Sequence, residues 1–437
     1  MKQSRQRTLT LIYYAAVILT LSTALPVLFY FLGFKYVWRV YTAIYFSIIF
    51  IYIWYRFVNL AVYDFKKNKT NFTYDAEKPF TIVMPCYNEE PDLLISAVAS
   101  IQRAKGKKEI IIVDDGSNNG VDKTIEYLKT KYSNIRSHRF SQNKGKRHAL
   151  YWAFQNINTE YFVATDSDTI FGRESFVKLL APFSDKKIGA TTGNILLLNE
   201  KENLLTKVIA GMYLCGLDNY KKSQSTLGNV VCCSGCLAAY RTDAVKQIAD
   251  QFVTQKFRGV TATHSEDRHL TNLILEKQYK VVYVDDAVCY TQTPSTLRNF
   301  LKQQQRWKRG FVRETIYLLS HSYRTSKMLF FEALIGNALP YFLSFGMQTF
   351  IVITLFFEPS KVYTLLGGWI AFMVIRELPM FISQPKRAIW YVFYIPLYEI
   401  FLFWQNMFAI FTVNRTGWLT RGLSNKPTQY DEIPAPV

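Results

Sequence analysis

Two long runs without charge near the N-terminus constrain the fold of this chain more than any other feature. The first run is Thr8–Phe34, and the second is Val40–Tyr55, which Phe57–Tyr63 extends beyond Arg56. At a rise of about 1.5 Å per residue, a helix formed by either run can cross the hydrocarbon core of a bilayer, which is about 30 Å thick. A secretory signal peptide has a shorter apolar core and a small-residue cleavage site, and neither is visible here. We therefore predict two retained transmembrane helices.

Basic residues around these two helices predict their orientation. The sequence MKQSRQR precedes the first helix and Lys66–Lys69 follows the second, so both flanks belong on the cytoplasmic side, joined by a short outer loop around Lys35–Arg39. The segment from Asp64 to about Ser326 is then a soluble domain that faces the cytoplasm. A net charge of +19 also occurs in nucleic-acid-binding proteins, but the anionic inner membrane surface attracts the same charge. We expect membrane lipids as partners and no nucleic acid.

Three further apolar stretches lie in the C-terminal third, at Ala333–Phe357, Val362–Ile382 and Ala388–Val413. Three full crossings would place the basic tail after Val413 outside, against the positive-inside rule. The first of these stretches, which Pro340 interrupts, could instead be re-entrant or a tight hairpin. The number of crossings in the whole chain therefore stays open between four and six.

Strands and helices alternate in the predicted cytoplasmic domain. Phe80–Met84, ended by Pro85, and Glu109–Val113 and Tyr161–Thr165 are short β-branched apolar runs typical of buried strands. An amphipathic segment that reaches Ala104 follows the first strand, and a charged, polar helix that reaches about Tyr132 follows the second. This alternation predicts a mostly parallel sheet with helices on both faces, in which ligands bind beyond the carboxyl ends of the strands.

A polar signature follows each of these strands: PCYNEE, DDGS and DSDT. The neighbouring carboxylates of Asp166 and Asp168 repel each other, and a divalent cation shared with a diphosphate would relieve that repulsion, although the same residues are typical of a solvated turn. Asp114 and Asp115 could accept a hydrogen bond from the imide of a base, or could belong to a turn capped by Ser117. The coincidence of three signatures at one sheet edge favours a binding site.

Three later motifs supply charges suited to group transfer. In NKGKRH, Lys146 can bind phosphate as a point charge, although the run could equally be an exposed helix start. In SEDR, one acid can serve as a general base or merely form a surface ion pair with Arg268. In LKQQQRWKRGF, Arg306 can neutralise a leaving diphosphate and Trp307 can stack on a sugar, whereas a basic stretch near a membrane is usually a headgroup anchor.

All six cysteines fall in the predicted cytoplasmic segment, where disulfides are disfavoured. Cys233 and Cys236 have CxxC spacing, but no second pair stands at the distance that a zinc site needs. We predict small buried cysteines.

The order PCYNE, DDGS, GKRHA, DSD, SGC, SED and QQQRW resembles that of the processive, membrane-embedded family 2 glycosyltransferases, and specifically of the hyaluronan synthases. GKRHALYWAF, EDRHLTN, FVRET and FTVNRTGWLTR look like the same group. The resemblance implies an α/β GT-A-type (Rossmann-like) cytosolic domain inserted between transmembrane α-helices. It also implies an inverting, metal-dependent enzyme that polymerises UDP-sugars and extrudes the growing polysaccharide through its own helices.

Roles for individual residues are implied by the same resemblance. The UDP moiety would be bound by Tyr87, Glu89, Asp114, Asp115, Lys146 and Asp166. Asp168 would hold Mg²⁺ or Mn²⁺ together with Asp166. The catalytic group would comprise Asp267 as general base, Glu266, Gln303, Arg306 and Trp307. The acceptor would meet Ser234, Gly235, Cys236 and Trp307.

The implied domains are 1–63 with two transmembrane helices, 64–293 with the transferase, 294–326 with interfacial helices, 327–413 with C-terminal transmembrane helices, and a tail at 414–437. The chain departs from the hyaluronan synthases at Cys236, where they usually carry proline, and at Ser265–Asp267, where they usually carry Gly-Asp-Asp. Glu266 is closer to the chitin-oligosaccharide synthases of nodulating bacteria, and SEDRHLTNLILEKQYK looks like glucose–glucuronate capsule synthases. The polymer therefore stays open, and Lys144, Arg147 and Arg313 are candidate partners for a uronate carboxylate.

Overall fold

The computed structural model describes residues 35–69, 72–357 and 377–415, together with residues 359–361, 363, 367, 370 and 374. The strands of this part are β1 (Phe80–Cys86), β2 (Lys108–Asp114), β3 (Ile135–Arg139), β4 (Tyr161–Ala164), β5 (Ile170–Phe171), β6 (Ile188–Leu197), β7 (Ala238–Arg241), β8 (Lys256–Phe257), β9 (Val260–Thr261) and β10 (Lys280–Thr291). The helices up to β10 are α1 (Lys35–Lys69), α2 (Pro91–Arg103), α3 (Val121–Lys131), α4 (Lys146–Gln155), α5 (Ser175–Leu180), α6 (Leu204–Met212), α7 (Asn219–Ser225), α8 (Thr242–Lys246), α9 (Ala249–Val253) and α10 (Glu266–Glu276). After β10 follow α11 (Leu297–Thr325), α12 (Lys327–Ala333), α13 (Leu339–Phe357), α14 (Leu378–Ser383), α15 (Pro385–Leu397) and α16 (Phe403–Phe411).

One eight-stranded sheet with the order β3-β2-β1-β4-β7-β6-β10-β5 organises the central part of the chain. β1 to β4 are parallel, β7 is antiparallel to both of its neighbours, and β5 is antiparallel to β10. The predicted strands are confirmed, and the sheet is mostly parallel but mixed. Buried residues form an apolar core on each face of the sheet, as expected for helices packed on both sides.

The first strand is longer than predicted, because Pro85 does not end it. Pro85 pairs in register with Val113 of β2, and β1 continues to Cys86. On its other side β1 pairs with β4 only as far as Val83, whose carbonyl accepts the amide of Thr165. The absent amide of Pro85 therefore points to a side where the ladder has already ended, and no hydrogen bond is lost.

Two stretches of the described residues are helical, long and apolar enough to cross a membrane, Ala43–Lys67 within α1 and Lys327–Phe357 across α12 and α13. The second contains a π-helical turn at Leu334–Ala338, which ends two residues before Pro340, so the proline is accommodated near the start of α13 without ending the helix. The predicted Thr8–Phe34 helix and most of the Val362–Ile382 stretch lie outside the described residues.

Arg56, the charge inside the second predicted transmembrane run, is almost fully buried. Its Nη1 lies 3.2 Å from Glu332 Oε1 and 3.0 Å from Ser223 Oγ, and its guanidinium stacks on Tyr220. A buried charge needs such partners, and these ones join α1 to α12 and α7.

The segment expected to hold several interfacial helices is one continuous helix, α11, of 29 residues. It contains no proline, and it is capped at its N-terminus by Thr296, whose side chain accepts the amide of Asn299 at 3.4 Å. Ser326 follows its last residue and caps α12 by accepting the amide of Leu329. α15 packs on α6, where a Cβ on Gly211 would lie 2.6 Å from the amide nitrogen of Tyr391.

Candidate active site

A cavity of about 850 Å³ begins at the carboxyl ends of β1, β2 and β4 and continues past α10 and α11 to α1 and α13. Except for Asp114, every site residue predicted from the sequence lines it. These residues are Tyr87, Glu89, Asp115, Lys146, Asp166, Asp168, Ser234, Gly235, Cys236, Glu266, Asp267, Gln303, Arg306 and Trp307.

Lys146, the first residue of α4, is the cation at the centre of the sheet edge. Its ammonium is paired with Asp166 and lies 3.5 Å from Glu266 Oε1. Burial alone would lower the pKa of Lys146, but the charges of Asp166 and Glu266 raise it well above its usual range. Lys146 is therefore a permanent cation, and Cys236 Sγ completes the surroundings of Asp166 at 3.3 Å from Oδ2.

Asp168 lies at the same edge, but unlike Asp166 it forms no ion pair with any of the residues that the structure describes. Burial, followed by the charges of Glu89 and Asp166, raises the pKa of Asp168 to about 7. Glu89 accepts the hydroxyl of Ser167 at 2.6 Å, which fixes it beside the pair. An added cation would relieve this concentration of negative charge, so the residues present fit a divalent ion.

No three His, Cys, Asp or Glu side chains within the described ranges converge to hold an ion by themselves. Asp166 and Asp168 would therefore need phosphate oxygens of a nucleotide to complete a coordination sphere. This is the usual arrangement for Mg²⁺, which is commonly held by one or two carboxylates together with substrate phosphates.

Asp115 is buried and holds the loop that leads into α4. Its Oδ1 accepts the amide of Lys144 at 2.7 Å, and its Oδ2 accepts the amide of Gly145 at 2.9 Å and the Nδ2 of Asn143 at 2.9 Å. These bonds position Lys146, the next residue, against Asp166. Asp115 thus has a positioning role that the sequence did not reveal.

Asp114 is the exception among the predicted site residues. It accepts the amide of Ser117 at 2.9 Å, and Arg139 Nε lies 3.2 Å from its other oxygen. Its carboxylate is therefore part of the turn after β2, which is the alternative that the sequence had left open, and the cavity lining does not support the prediction that Asp114 binds UDP. Successive side chains of a strand point to opposite faces, so Asp114 and Asp115 could not both face the cavity.

Two acids at the start of α10 experience opposite electrostatic environments. Burial opposes ionisation of Glu266, but the charge of Lys146 and the backbone amides hold its pKa below the usual range. Burial and the charge of Glu266 instead raise the pKa of Asp267. Neighbouring acids whose pKa values are pushed apart in this way are suited to different roles, and Asp267 is the better proton acceptor.

Ser265, directly before these acids, adopts a left-handed backbone conformation with φ of 61°. This is the position where the hyaluronan synthases usually carry glycine, which adopts such a conformation at no steric cost. Gly310 of α11 accommodates the serine, because a Cβ there would lie 1.6 Å from Ser265 Oγ. The close approach brings α11 against the start of α10.

The polar side of α11 reaches the cavity through Gln303, Arg306 and Trp307. Burial lowers the pKa of Arg306, an effect opposed by the charges of Glu266 and Asp267. Trp307 is half-buried and lies in the cavity wall. Of the two interpretations of the QQQRW run, the structure favours contact with a ligand over contact with lipid headgroups.

The candidate partners for a uronate carboxylate are not in the cavity. Arg147 is buried and donates to the Phe252 carbonyl at 2.7 Å and to Gln255 at 2.8 Å. Arg313 is buried against Glu314, and Lys144 is exposed over the ring of Phe140. The cavity lining therefore does not support the hypothesis built on these three residues, because a basic residue close in sequence to a motif need not share its face.

Two other basic residues, Lys221 and Arg268, do line the cavity. Lys221 lies in the run YKKSQS, which has no motif character, so nothing in the sequence distinguished it from Lys222. Four cysteines, Cys86, Cys215, Cys233 and Cys289, are buried as predicted, whereas Cys232 and Cys236, which line the cavity, are only partly buried.

A parallel-stranded edge that carries a lysine, paired aspartates and a candidate base above the sheet defines a nucleotide-sugar transferase of the GT-A type. Residues 81–249 match the family described as Glycosyl transferase family 2. The chain is 31% identical over 349 residues to an N-acetylglucosaminyltransferase of Rhizobium meliloti (strain 1021), which covers 78% of this chain and 80% of that protein. It is 35% identical over 240 residues to a hyaluronan synthase of Streptococcus pyogenes, which covers 54% of this chain and 57% of that protein.

Among solved structures, a mannosyltransferase from Pyrobaculum calidifontis in complex with GDP-Man and Mn²⁺ has the same fold, with a TM-score of 0.55 at 18% identity. The match covers 82% of this chain and 96% of the mannosyltransferase. The chain belongs to the family 2 glycosyltransferases, in the group that resembles hyaluronan synthase, and it is an enzyme of that class.

Proposed function

We propose that this protein is a processive, inverting β-glycosyltransferase of the plasma membrane that polymerises UDP-GlcNAc with UDP-GlcA into hyaluronan or a hyaluronan-like polysaccharide. The similarity to a hyaluronan synthase and to N-acetylglucosaminyltransferases supports UDP-GlcNAc as a donor. Multiple helices would cross the membrane, with the transferase domain at 64–293 on the cytoplasmic side.

The observation that carries the proposal is the continuity of the cavity. It is lined at one end by Asp166 and Asp168, and at the other by Tyr45 and Ile49 of α1 and Met347 of α13. Those last two helices contain the stretches long and apolar enough to cross a membrane. A product leaving the sheet edge would therefore pass directly between them, as extrusion of a growing polymer requires.

The chemistry proposed for the site is displacement at the anomeric carbon by an acceptor hydroxyl. Asp267 accepts the proton of that hydroxyl, and its pKa, raised by burial and by the charge of Glu266, makes it a stronger base than an ordinary aspartate. The carboxylate would hold the hydroxyl in line with the bond that breaks. Glu266 remains ionised beside Lys146 and keeps this cation oriented towards the donor.

The leaving UDP carries the charge that develops in the reaction. Lys146 and Arg306 lie at the sheet edge and on α11, where both can contact a diphosphate. Asp166 and Asp168 would hold a Mg²⁺ or Mn²⁺ ion, which when bound neutralises phosphate charge. Tyr87, Glu89 and Asp115 would surround the uridine, and Gln303 would assist Arg306 at the diphosphate.

The acceptor sugar would lie against Ser234, Gly235 and Cys236 on one side and Trp307 on the other. Gly235 leaves room for it, because a Cβ there would already lie 3.1 Å from Lys146 Nζ. The flat face of the indole is suited to stacking on a sugar ring. Trp307 would thus mark the passage from the reaction centre to the channel.

Product analysis tests the proposal. Membranes that contain the full chain and receive UDP-GlcNAc with UDP-GlcA should make a polymer that hyaluronidase degrades. A polymer made from UDP-GlcNAc alone and cut by chitinase would instead identify a chitin or chitooligosaccharide synthase. The similarity to N-acetylglucosaminyltransferases over most of the chain favours this second candidate. A product that forms only with UDP-glucose would overturn both and indicate a glucose–glucuronate polymer.

A further inference from the structure

Lys221 is a buried cation without a carboxylate partner in the wall of the cavity. Its residue is 7% exposed, and its ammonium donates to Ser234 Oγ at 2.7 Å. Within the described part of the chain, carboxylates form ion pairs with Lys146 and Lys222 but none with Lys221. A buried ammonium has three donors and is unfavourable without an opposite charge. An anion in the cavity would supply that charge.

The segment Ser234–Cys236 separates this cation from the one that serves the donor. Cys236 contacts Asp166, and Gly235 faces Lys146, both on the side of the sheet edge. Ser234 instead accepts a hydrogen bond from Lys221. Lys221 therefore contacts the segment predicted to meet the acceptor, and among the described residues it forms no ion pair with Asp166 or Asp168.

A second cation of the cavity wall, Arg268, lies next to the proposed base Asp267. It follows Asp267 directly, its guanidinium lies 4.6 Å from the ring centre of Phe311, and it too has no ion pair among the described residues. Cys232 Sγ lies 3.9 Å from Asp267 Oδ2, and the charges of both Arg268 and Lys221 act on this thiol. Lys221 is thus bonded to Ser234, Asp267 contacts Cys232 two residues earlier in the same segment, and Arg268 follows Asp267, so the three residues line the same part of the cavity.

We propose that Lys221 and Arg268 form a subsite for the carboxylate of a uronic acid residue at the end of the acceptor chain. The inference rests on the proposed function and assigns to it the residues that recognise the uronate. In glucuronate the 4-hydroxyl and the carboxylate stand on adjacent ring carbons. A terminal glucuronate that presents its 4-hydroxyl to Asp267 therefore presents its carboxylate within a few bonds of the same point, where the two cations lie. A terminal GlcNAc that presents its 4-hydroxyl, as at the end of a chitin chain, has a neutral hydroxymethyl group there.

The test uses one donor and two acceptors, so that donor binding is constant. The full chain in detergent receives UDP-GlcNAc with either a hyaluronan tetrasaccharide that ends in GlcA or a chitin tetrasaccharide that ends in GlcNAc. Elongation is measured by mass spectrometry and UDP release. In Lys221→Met, the ratio of kcat/KM for the GlcA-ended acceptor to that for the GlcNAc-ended acceptor should fall about tenfold or more, as loss of a charged hydrogen bond predicts. Arg268→Met should lower the same ratio.

Two further variants separate this role from a structural one. Lys222→Met changes the next residue of α7, which is paired with Asp218 and Asp285 outside the cavity, and should leave the ratio unchanged. Lys221→Arg keeps the charge, so the ratio of the two kcat/KM values should return to most of its wild-type value. An equal fall for both acceptors in Lys221→Met would overturn the inference, because it would indicate a role at the diphosphate or in folding. An unchanged ratio would overturn it as well. If the wild-type chain elongates the chitin tetrasaccharide but never incorporates GlcA, the proposed function fails together with the inference.

Discussion

Glu314 of α11 and His269 of α10 form a buried pair, with Oε2 of the glutamate 3.0 Å from Nδ1 of the histidine. Gln255 donates to the other oxygen of Glu314 at 2.7 Å, and Arg313 lies beside it at 3.0 Å. Burial favours the neutral acid, but the charges and hydrogen bonds of His269 and Arg313 hold the pKa of Glu314 well below its usual range. The helix that carries Arg306 and Trp307 is thereby tied to the helix that begins at the proposed base.

Removal of this pair should loosen the joint between α10 and α11. Glu314→Ala leaves His269 and Arg313 buried without their carboxylate, and breaking a buried pair costs roughly 3–5 kcal/mol. We expect a clearly lower thermal unfolding midpoint and a lower kcat, measured on the purified full chain. Glu126→Ala, which removes an exposed pair with Lys129, is the control and should change neither. Equal stability of the two variants would contradict a structural role for the Glu314 network.

Asp267→Asn should abolish transfer while UDP still binds. The asparagine fills the same space but cannot accept the proton, so kcat should fall about 10²- to 10⁴-fold. UDP affinity, measured by titration calorimetry, should stay close to that of the wild type because Lys146 and Asp166 are intact. Asp250→Asn, which removes an exposed partner of Tyr151, serves as the control. Turnover at the wild-type rate in Asp267→Asn would exclude this residue as the base.

The raised pKa of Asp267 predicts the pH dependence of catalysis. A base must be ionised, so kcat should rise with pH through the pKa of Asp267, above the ordinary aspartate value of about 3.9. Glu266→Gln removes a negative charge that raises this pKa, and should move the acid limb of the profile to lower pH. The check is kcat measured from about pH 4 to pH 9.

Glu276→Gln, at the far end of α10, is the matched control for this shift. Its carboxylate accepts the hydroxyl of Tyr317 at 2.6 Å and lies outside the cavity. The limb should not move in this variant. An acid limb that stays in place in Glu266→Gln would show that another group titrates in the profile.

Removal of divalent ions should stop the reaction reversibly. Asp166 and Asp168 are proposed to share an ion with the donor diphosphate, so activity should vanish in excess chelator and return with Mn²⁺ or Mg²⁺. Asp168→Asn should raise the concentration of metal needed for half-maximal activity. Full activity of the wild type in chelator would mean that the DSD sequence is only a turn.

Trp307→Ala should shorten the product more than it weakens donor binding. A lost stacking contact is worth about 1 kcal/mol beyond the buried area, so acceptor affinity should fall roughly fivefold and chains should be released earlier. Product length on gels and the KM for UDP-GlcNAc are the two measurements. Trp404→Ala, an exposed tryptophan of α16, is the control. Unchanged length in Trp307→Ala would favour a membrane-anchoring role for this side chain.

The sequence alone determined the parts of this protein that depend on local patterns. The three predicted strands and the helices between them follow from apolar runs and their breakers, and the polar signatures at the strand ends predicted the edge where the cavity opens. The order of motifs was specific enough to identify the family. These predictions are correct because each feature depends on residues within a few positions of one another.

Tertiary structure decided what depends on contacts between distant segments. Arg147 and Arg313 are buried by packing outside the cavity. The basic residue that packing brings to the cavity wall is Lys221, which bonds to Ser234. The carboxylate of Asp114 bonds to the turn after β2 and does not line the cavity, whereas that of Asp115 accepts amides of the loop before α4. Nothing in the sequence indicated that Glu314 and His269, which are 45 positions apart, form a buried pair. The partners of a side chain depend on how helices and strands pack against one another. A single sequence shows the composition of each helix and strand, but it does not show which of their faces come into contact.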